Sequence, residues 1–307
     1  MTVVAQSGIC AEARAHASFI AFDWSAGFDA TRAREILAQV PALTQQMAEQ
    51  FPQAGLCSVV AIGAAAWEQL YPTKPAELQA FPVFADTVID LPGQALGGLL
   101  HIRSERHDLN FELAQRIAAQ LAPMVKWGEQ IDGFRYLDSR DLTGFVDGTE
   151  NPEGDERAEV ALVGDEDPVF AGGSYLHVQR WVHNMPKWQA TPIAVQEQVI
   201  GRTKQDDVEM DDDVKPPTAH IARVVIEEGG QELEILRQSM PYGRLDEMGL
   251  MFASYARSPQ PFTRMLEMMF RRDADGNYDH LLNYSRPVNG ASLFAPSVDF
   301  LNRMAGI

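Results

Sequence analysis

Cysteines and positively charged residues are scarce in this sequence. Its 307 residues include two cysteines, Cys10 and Cys57, which excludes an iron–sulfur cluster, a zinc ribbon and a covalent CxxCH haem site. Lys and Arg number 25 against 43 Asp and Glu, which gives a net charge of −18 at pH 7. Because phosphate backbones and anionic lipids repel such a chain, we expect no nucleic-acid partner and no membrane association.

Long apolar runs and export signals are also missing. The longest apolar stretch, residues 56–67, is shorter than the roughly 20 residues that a membrane-spanning helix needs. The amino terminus, MTVVAQSGIC, has no basic region followed by an apolar segment, and two distant cysteines suit a reducing compartment. We therefore expect a cytoplasmic protein.

Sequence motifs of several common cofactors are absent. No GxxxxGK[ST] loop is present, and no GxGxxG follows a predicted strand, so a nucleotide cofactor is not indicated. The seven histidines form neither an HExxH motif nor a cluster with cysteines, which argues against a zinc site. A lone histidine suits haem better, because the porphyrin supplies the other four nitrogen ligands.

Strand and helix patterns follow the same order in both halves of the chain. The first half predicts strands at 16–24, 56–63 and 96–104 and helices at 29–40 and 110–127. The second half predicts strands at 175–183, 219–227, 232–240 and 249–256 and helices at 191–200 and 260–272. This doubled β-α-β-β-α-β pattern predicts an α+β fold of two tandem ferredoxin-like halves, of the dimeric α+β barrel type, with helices covering antiparallel sheets.

The chain length suits two domains of about 150 residues each. We predict an N-terminal half over 1–150 and a C-terminal half over 151–307, with an inter-domain loop at 139–173. Such a long loop, rich in Gly, Asp, Glu and Pro, usually has a function in a compact protein. The acidic run 206–213 is interpreted as a solvated loop, with a weak cation site as the less favoured alternative.

Three residues stand out as candidates for chemistry. Asp147 lies in GFVDGTENP, which is either a plain Asp-Gly turn or a carboxylate presented to a ligand between two glycines. His220 lies among small residues and is either a core histidine or an axial ligand beside a flat group. Arg237 shares a predicted strand face with Ser239, and it either reaches solvent or faces a cavity.

Taken in order, several segments resemble one family over nearly the whole chain. GFVDGTENP contains a GxxDG signature, and QEQVIGRTK, the segment around His220, RQSMPYG and RPVNG follow it. Together they resemble the dye-decolourising peroxidases, in particular the shorter, cytoplasmic class B that includes YfeX-like proteins.

The resemblance implies a haem b, one per chain and noncovalently bound, between the C-terminal half and the inter-domain loop. It makes His220 the axial ligand of the iron, Asp147 the distal acid–base residue and Arg237 the distal arginine. Ser239 matches a distal polar position that is often Asn or Ser.

Further positions follow from the same resemblance. Gly148 and Arg202 match residues that contact the haem, as Arg237 also does. Asp279 matches a carboxylate that accepts the other N–H of His220. Family members commonly form dimers or larger closed assemblies, so we expect a homo-oligomer.

The implied activity is a peroxidase that reduces hydrogen peroxide through a ferryl intermediate. Dyes, phenolics or porphyrin-type compounds then supply single electrons. The alternative is a haem- or porphyrin-handling protein, meaning a carrier or one that oxidises porphyrinogens or releases iron, with incidental peroxidase activity. Asp147 and Arg237 together favour the enzyme, since a carrier needs only His220 and a pocket. A carboxylate base, with a reference pKa of about 3.9, predicts an acidic optimum.

Overall fold

The computed structural model describes residues 3–307, so the first two residues of the amino-terminal segment lie outside it. The first half contains β1 (His16–Trp24), α1 (Ala30–Gln50), β2 (Cys57–Gly63), α2 (Trp67–Leu70), β3 (Gly98–Ser104), α3 (His107–Leu121) and β4 (Val125–Phe134). These strands pair antiparallel in the order β4-β1-β3-β2, the arrangement of a ferredoxin-like unit.

The second half repeats this arrangement with more insertions. It contains α4 (Glu156–Ala161), β5 (Ser174–His183), α5 (Met185–Ala190), α6 (Ile193–Ile200), α7 (His220–Val224), β6 (Glu227–Glu228), β7 (Gln231–Glu232), β8 (Leu236–Arg237), β9 (Met240–Gly243), β10 (Met248–Ala256), α8 (Gln260–Phe270), β11 (Ser285–Pro287), β12 (Ala291–Ala295) and α9 (Val298–Ala305). Strand order is β12-β5-β10, with β8 and β9 on the free side of β10 and β11 beside β5.

The two halves form one sheet that nearly closes on itself. Strand β12 pairs with β2 through Leu293 and Phe294, which joins the halves edge to edge. At the far ends, β4 meets β9, where a Cβ added to Gly133 would lie 2.7 Å from Cβ of Met240, so glycine permits this approach. Together with the strand order, this confirms the predicted α+β fold of two ferredoxin-like halves.

Alternation along the strands divides the core into layers. One sheet face fills the barrel interior with buried side chains such as Phe19, Leu176 and Tyr255. The opposite face of the first half packs against α1 and α3. In the second half that face packs against α8, and this layer holds the site described below.

Two helix predictions in the first half were wrong at their ends. The predicted stop at Pro41 does not occur, because α1 continues to Gln50 and its second part buries Thr44 and Met47. The predicted helix 110–127 instead ends at Leu121, and β4 begins at Val125. Leu113, Ile117 and Leu121 share the buried face of α3 at four-residue spacing, whereas Phe111 is on the other side and 54% exposed.

Two strand predictions in the second half were also wrong. Residues 219–227 do not form a strand, because His220 begins the short helix α7, and a four-residue spacing places Val224 on the same helix face. The predicted strand 232–240 is divided into β7, β8 and the start of β9, with an irregular step at Gln238 and Ser239. The remaining predicted strands and helices agree with the structure to within about three residues.

Candidate functional site

An inner cavity lies in the second half of the chain. The sheet face of β5 and β10 forms one wall, and α7 and α8 form the other. Its apolar lining includes Phe145, Val146, Trp181, Ile200, Val224, Ile235, Leu250, Phe252, Phe262, Met265, Leu266, Met269 and Leu281. A large apolar space with few polar groups is typical of a cofactor site.

His220 faces this cavity from the first residue of α7. Its Nδ1 lies 2.6 Å from Oδ2 of Asp279, a carboxylate with no solvent exposure. The other oxygen of Asp279 accepts a hydrogen bond from the backbone N–H of Leu281 at 2.8 Å, which fixes the carboxylate. A carboxylate at this distance assigns the proton to Nδ1 and leaves Nε2 as the ring atom available to a metal ion.

Asp147 lies in the loop that covers the cavity. Its backbone N–H donates to the carbonyl of Ser139 at 3.1 Å, and Gly148 follows it at a φ of 86°, a left-handed conformation that favours glycine. Burial raises the pKa of the Asp147 carboxyl, while the positive charge of Arg237 opposes this rise. A raised pKa in a cavity is a common property of proton-transfer groups.

Arg237 enters the same cavity from β8. The preceding residue, Leu236, is fully buried in the barrel core, so alternation turns Arg237 toward the opposite face. Nε of Arg237 is buried and has no hydrogen-bond partner among the described residues. Such an atom usually has a ligand or a water molecule as its partner.

An outer cavity adjoins the inner one, since the two share lining residues. It is lined by Glu12, Ala13, Arg14, Arg103, Arg135, Tyr136, Ser139, Arg140, Asp147, Gly148, Asn151, Pro152, Glu153, Arg157, Arg237, Gln238, Ser239, Met240 and Pro241. Asp147 and Arg237 line both cavities and therefore stand at their junction.

Four predicted site residues do not line the inner cavity: Asp279, which pairs with His220, and Ser239, Gly148 and Arg202. Ser239 and Gly148 line the outer cavity, and Oγ of Ser239 accepts a hydrogen bond from the backbone N–H of Ala253 at 3.2 Å. Arg202 is not part of either lining. Its guanidinium pairs with carboxylates of the Glu150 side chain at 2.6 Å and the Asp207 side chain at 2.9 Å. Contact between Arg202 and a haem stays a prediction.

Sequence reasoning missed a polar network in the cavity wall. His183 lies between Oγ of Ser285, 2.7 Å from its Nδ1, and Oδ1 of Asp141, 3.2 Å from its Nε2. Burial raises the pKa of the Asp141 carboxyl, but hydrogen bonds from His183 and Thr143 outweigh burial and lower it overall. Two polar residues on one face of β5, Gln179 and His183, with Trp181 between them, were the available signal.

The inner cavity fits a haem. Its lining offers the imidazole of His220, the carboxylate of Asp147 and the guanidinium of Arg237, between apolar walls that suit a flat macrocycle. Nε2 of Gln179, which is 1% exposed, is a second buried donor without a partner in the described chain. Among residues 3–307, no group of three His, Cys, Asp or Glu could hold a bare metal ion.

Carboxylates of the acidic run form ion pairs with nearby Arg and Lys side chains. Glu209 lies beside Arg202 and also pairs with Lys215, which lies 3.0 Å from the carboxylate of Asp212. The less favoured alternative of a weak cation site in this run stays untested. Within the described part of the chain, no helix is long and apolar enough to cross a membrane.

Family models match both halves of the chain. The model for the N-terminal part of Dyp-type peroxidases matches residues 6–135, and the model for the C-terminal part matches residues 138–300. The predicted boundary between residues 150 and 151 is not itself tested by these matches and stays a prediction.

Relatives and solved structures agree with the family. A dye-decolorizing peroxidase of Mycolicibacterium paratuberculosis is 43% identical over 290 residues, which cover 93% of this chain and 82% of the relative. A putative dyp-type peroxidase of Shewanella oneidensis superimposes with a TM-score of 0.96 at 43% identity, over 99% of both chains.

A second similar structure was solved with haem. A DypB variant of Rhodococcus jostii in complex with heme superimposes with a TM-score of 0.91 at 36% identity, over 98% of both chains. These findings favour the predicted peroxidase over the alternative of a haem carrier. The chain belongs to the Dyp-type peroxidase family and is a haem-dependent peroxidase.

Proposed function

We propose that this chain reduces hydrogen peroxide on a haem b held in the inner cavity, with His220 as the axial ligand. Asp147 is the acid–base residue and Arg237 the charge-stabilising residue. The observation that carries the proposal is the shared cavity: His220, bonded to Asp279, lines the same space as Asp147 and Arg237. When bound, the haem supplies the two-electron redox chemistry that amino-acid side chains lack.

Asp147 moves the proton that peroxide cleavage requires. Its unprotonated carboxylate accepts a proton from one peroxide oxygen and returns it to the other oxygen, which leaves as water. One carboxylate within hydrogen-bond reach of both oxygens performs both transfers. The position of Asp147 at the junction of the cavities lets peroxide arrive through the outer cavity and meet the carboxylate first.

Arg237 supports this transfer without taking part in it. A guanidinium stays protonated, so Arg237 cannot act as a base. Its fixed charge stabilises the negative charge that develops on the departing oxygen, and burial strengthens that interaction. The unpartnered Nε is a donor available for this purpose. Ser239 adds a hydroxyl to the outer cavity beside these two residues.

Asp279 acts through His220, the residue that would hold the haem iron. The hydrogen bond that it accepts from Nδ1 of His220 gives the imidazole anionic character and fixes the ring orientation. A more basic imidazole is a stronger electron donor to iron, which favours the oxidised cofactor. A neutral acceptor in place of Asp279 would orient the ring but would donate less charge.

Organic one-electron donors complete the cycle in this proposal. Dyes, phenolics and porphyrin-type compounds are the candidate classes, and the net charge of −18 favours cationic donors at low salt. A homo-oligomer and a cytoplasmic location also stay predictions.

The function is tested by adding one equivalent of hydrogen peroxide to the haem-loaded protein. We expect a rapid change of the Soret band, consumption of the peroxide, and return of the band when a phenolic donor is added. In His220→Ala we expect loss of the native Soret spectrum. His280→Ala is the matched control, because His280 is next to Asp279 in sequence but does not line the inner cavity. A Soret band that peroxide leaves unchanged would contradict the proposal.

The pH dependence of peroxide reduction offers a second test. Asp147 must be unprotonated, so kcat/KM for peroxide rises as pH increases through its pKa, which burial raises. The negative charge of Asp141 also raises the pKa of Asp147. Asp141→Asn removes that charge and therefore shifts the acidic limb of the pH profile to lower pH.

The matched control for this shift is Asp138→Asn. Asp138 is an exposed carboxylate of the same loop, and we expect its replacement to leave the limb in place. A limb that moves to higher pH in Asp141→Asn, or that moves equally in both variants, would rule out the assigned electrostatics.

A further inference from the structure

Asn151 connects the loop that contains Asp147 to the strand that contains Arg237. Its Nδ2 donates to the backbone carbonyl of Arg237 at 2.9 Å, and its Oδ1 accepts from the backbone N–H of Arg237 at 2.8 Å. The amide thus pairs with both backbone groups of one residue, as a neighbouring strand would do. Asn151 is four residues after Asp147.

The carboxyl-terminal end of this loop is anchored a second time. Nη1 of Arg157, a side chain that is 6% exposed, donates to the carbonyl of Pro152 at 3.2 Å. Nε2 of Gln238, next to Arg237, donates to the carbonyl of Ala11 at 2.9 Å, and Nη2 of Arg157 donates to the same carbonyl at 2.5 Å. Pro152 and Gln238, the residues next to Asn151 and Arg237, are therefore linked to each other through Arg157 and the carbonyl of Ala11.

The amino-terminal end of the loop has its own support. Nη1 of Arg140 donates to the carbonyl of Gly144 at 2.8 Å and to the carbonyl of Lys204 at 2.7 Å. With that end fixed, the contact of Asn151 sets how closely the turn at Asp147 approaches Arg237. Catalytic groups that act together lose rate steeply when they are displaced by about 1 Å.

We propose that Asn151 is a positioning residue for peroxide reduction. By binding the backbone of Arg237, it keeps the side chains of Asp147 and Arg237 at the relative positions that the reaction needs. This inference rests on the proposed roles of Asp147 and Arg237. Asn151 lines the outer cavity and not the inner one, so it acts through its neighbours and not on the haem.

The consequence is a specific set of changes in Asn151→Ala. We expect kcat/KM for peroxide to fall about 10- to 100-fold while the haem affinity and the Soret spectrum stay close to wild type. If Arg237 drifts from Asp147, the carboxyl loses the charge that opposes its raised pKa, so the acidic limb of the pH profile moves to higher pH. The affinity of the haem-loaded protein for fluoride should fall in parallel, because fluoride depends on the same hydrogen-bond donors.

Asn289→Ala is the matched control. Oδ1 of Asn289 accepts from the backbone N–H of Arg180 at 2.9 Å and its Nδ2 donates to Glu129 at 3.0 Å, but it lines neither cavity. We expect both Ala variants to lower the melting temperature. Only Asn151→Ala should move the acidic limb of the pH profile to higher pH and lower the affinity for fluoride. Asn151→Asp, which keeps the acceptor for the N–H, should retain more activity than Asn151→Ala.

A double-mutant cycle completes the test. If Asn151 acts through Arg237, the loss caused by Arg237→Leu should be smaller in the Asn151→Ala background than in the wild type. Full additivity, or an Asn151→Ala variant that loses stability but keeps the wild-type rate and pH limb, would overturn the inference. The proposed function fails separately, if Asp147→Ala reduces peroxide as fast as the wild type.

Discussion

Asp147→Ala is expected to lower kcat/KM for hydrogen peroxide by about 10²- to 10⁴-fold, the usual contribution of a positioned acid–base group. The physical reason is the position of Asp147, which lines both cavities together with Arg237 and whose carboxyl feels the positive charge of Arg237. Stopped-flow absorption after mixing the haem-loaded variant with peroxide measures the rate. Haem binding should be unchanged, since His220 and Asp279 are untouched.

Two further variants make this result specific. Asp147→Asn keeps the size of the side chain but cannot accept the proton, so we expect a loss close to that of Asp147→Ala. Asp138→Asn removes an exposed carboxylate from the same loop and should leave the rate unchanged. An Asp147→Asn variant with near wild-type kcat/KM would show that the proton is moved by another group.

Much of the architecture could be predicted because it depends on local patterns. Strands such as β1 and β10 show short apolar runs ended by polar or small residues, and the structure places them at the predicted positions. The order of strands and helices in the two halves then determines the doubled ferredoxin-like topology. Helix ends were harder, since tertiary burial of Met47 extends α1 beyond Pro41 and packing compensates for the lost backbone hydrogen bond.

The segment around His220 shows where local patterns fail. The sequence HIARVV is rich in β-branched residues, as strands often are, yet it forms α7, in which Arg223 is buried and pairs with Asp273 at 3.0 Å. Five residues are too few for a helical periodicity to be distinguished from a strand. The helix matters for the site, because it places His220 and Val224 on one face toward the cavity.

Contacts between residues far apart in the sequence were the other feature that local patterns could not predict. The pair His220 and Asp279 was expected from the family resemblance alone, and no pattern in the sequence connects residues 59 positions apart. The contact between Asn151 and Arg237, separated by 86 positions, was not anticipated, because an Asn beside a proline in a loop is an ordinary turn signal. Only the folded structure shows which turn residue is a partner of which strand.

Arg237→Leu is expected to lower kcat/KM for hydrogen peroxide by about 10²- to 10³-fold, the typical cost of removing one charge-stabilising donor. Leucine keeps the apolar stem but removes the buried guanidinium, whose Nε is unpartnered in the described chain. The same change removes the positive charge that opposes the raised pKa of Asp147, so the acidic limb should also move to higher pH. The rates are measured over a pH range that extends from below the acidic limb to neutral pH.

The combination of both effects separates Arg237 from a residue that merely fills space. Arg237→Lys keeps a positive charge but lacks the planar guanidinium. We therefore expect the acidic limb of its pH profile to stay nearer to that of the wild type, while its kcat/KM for peroxide is still reduced. Arg244→Leu is the matched control: Arg244 lies just past β9, its side chain is 79% exposed, and we expect neither change. An Arg237→Leu variant whose rate falls at every pH by the same factor, with the limb unmoved, would mean that its charge does not reach Asp147.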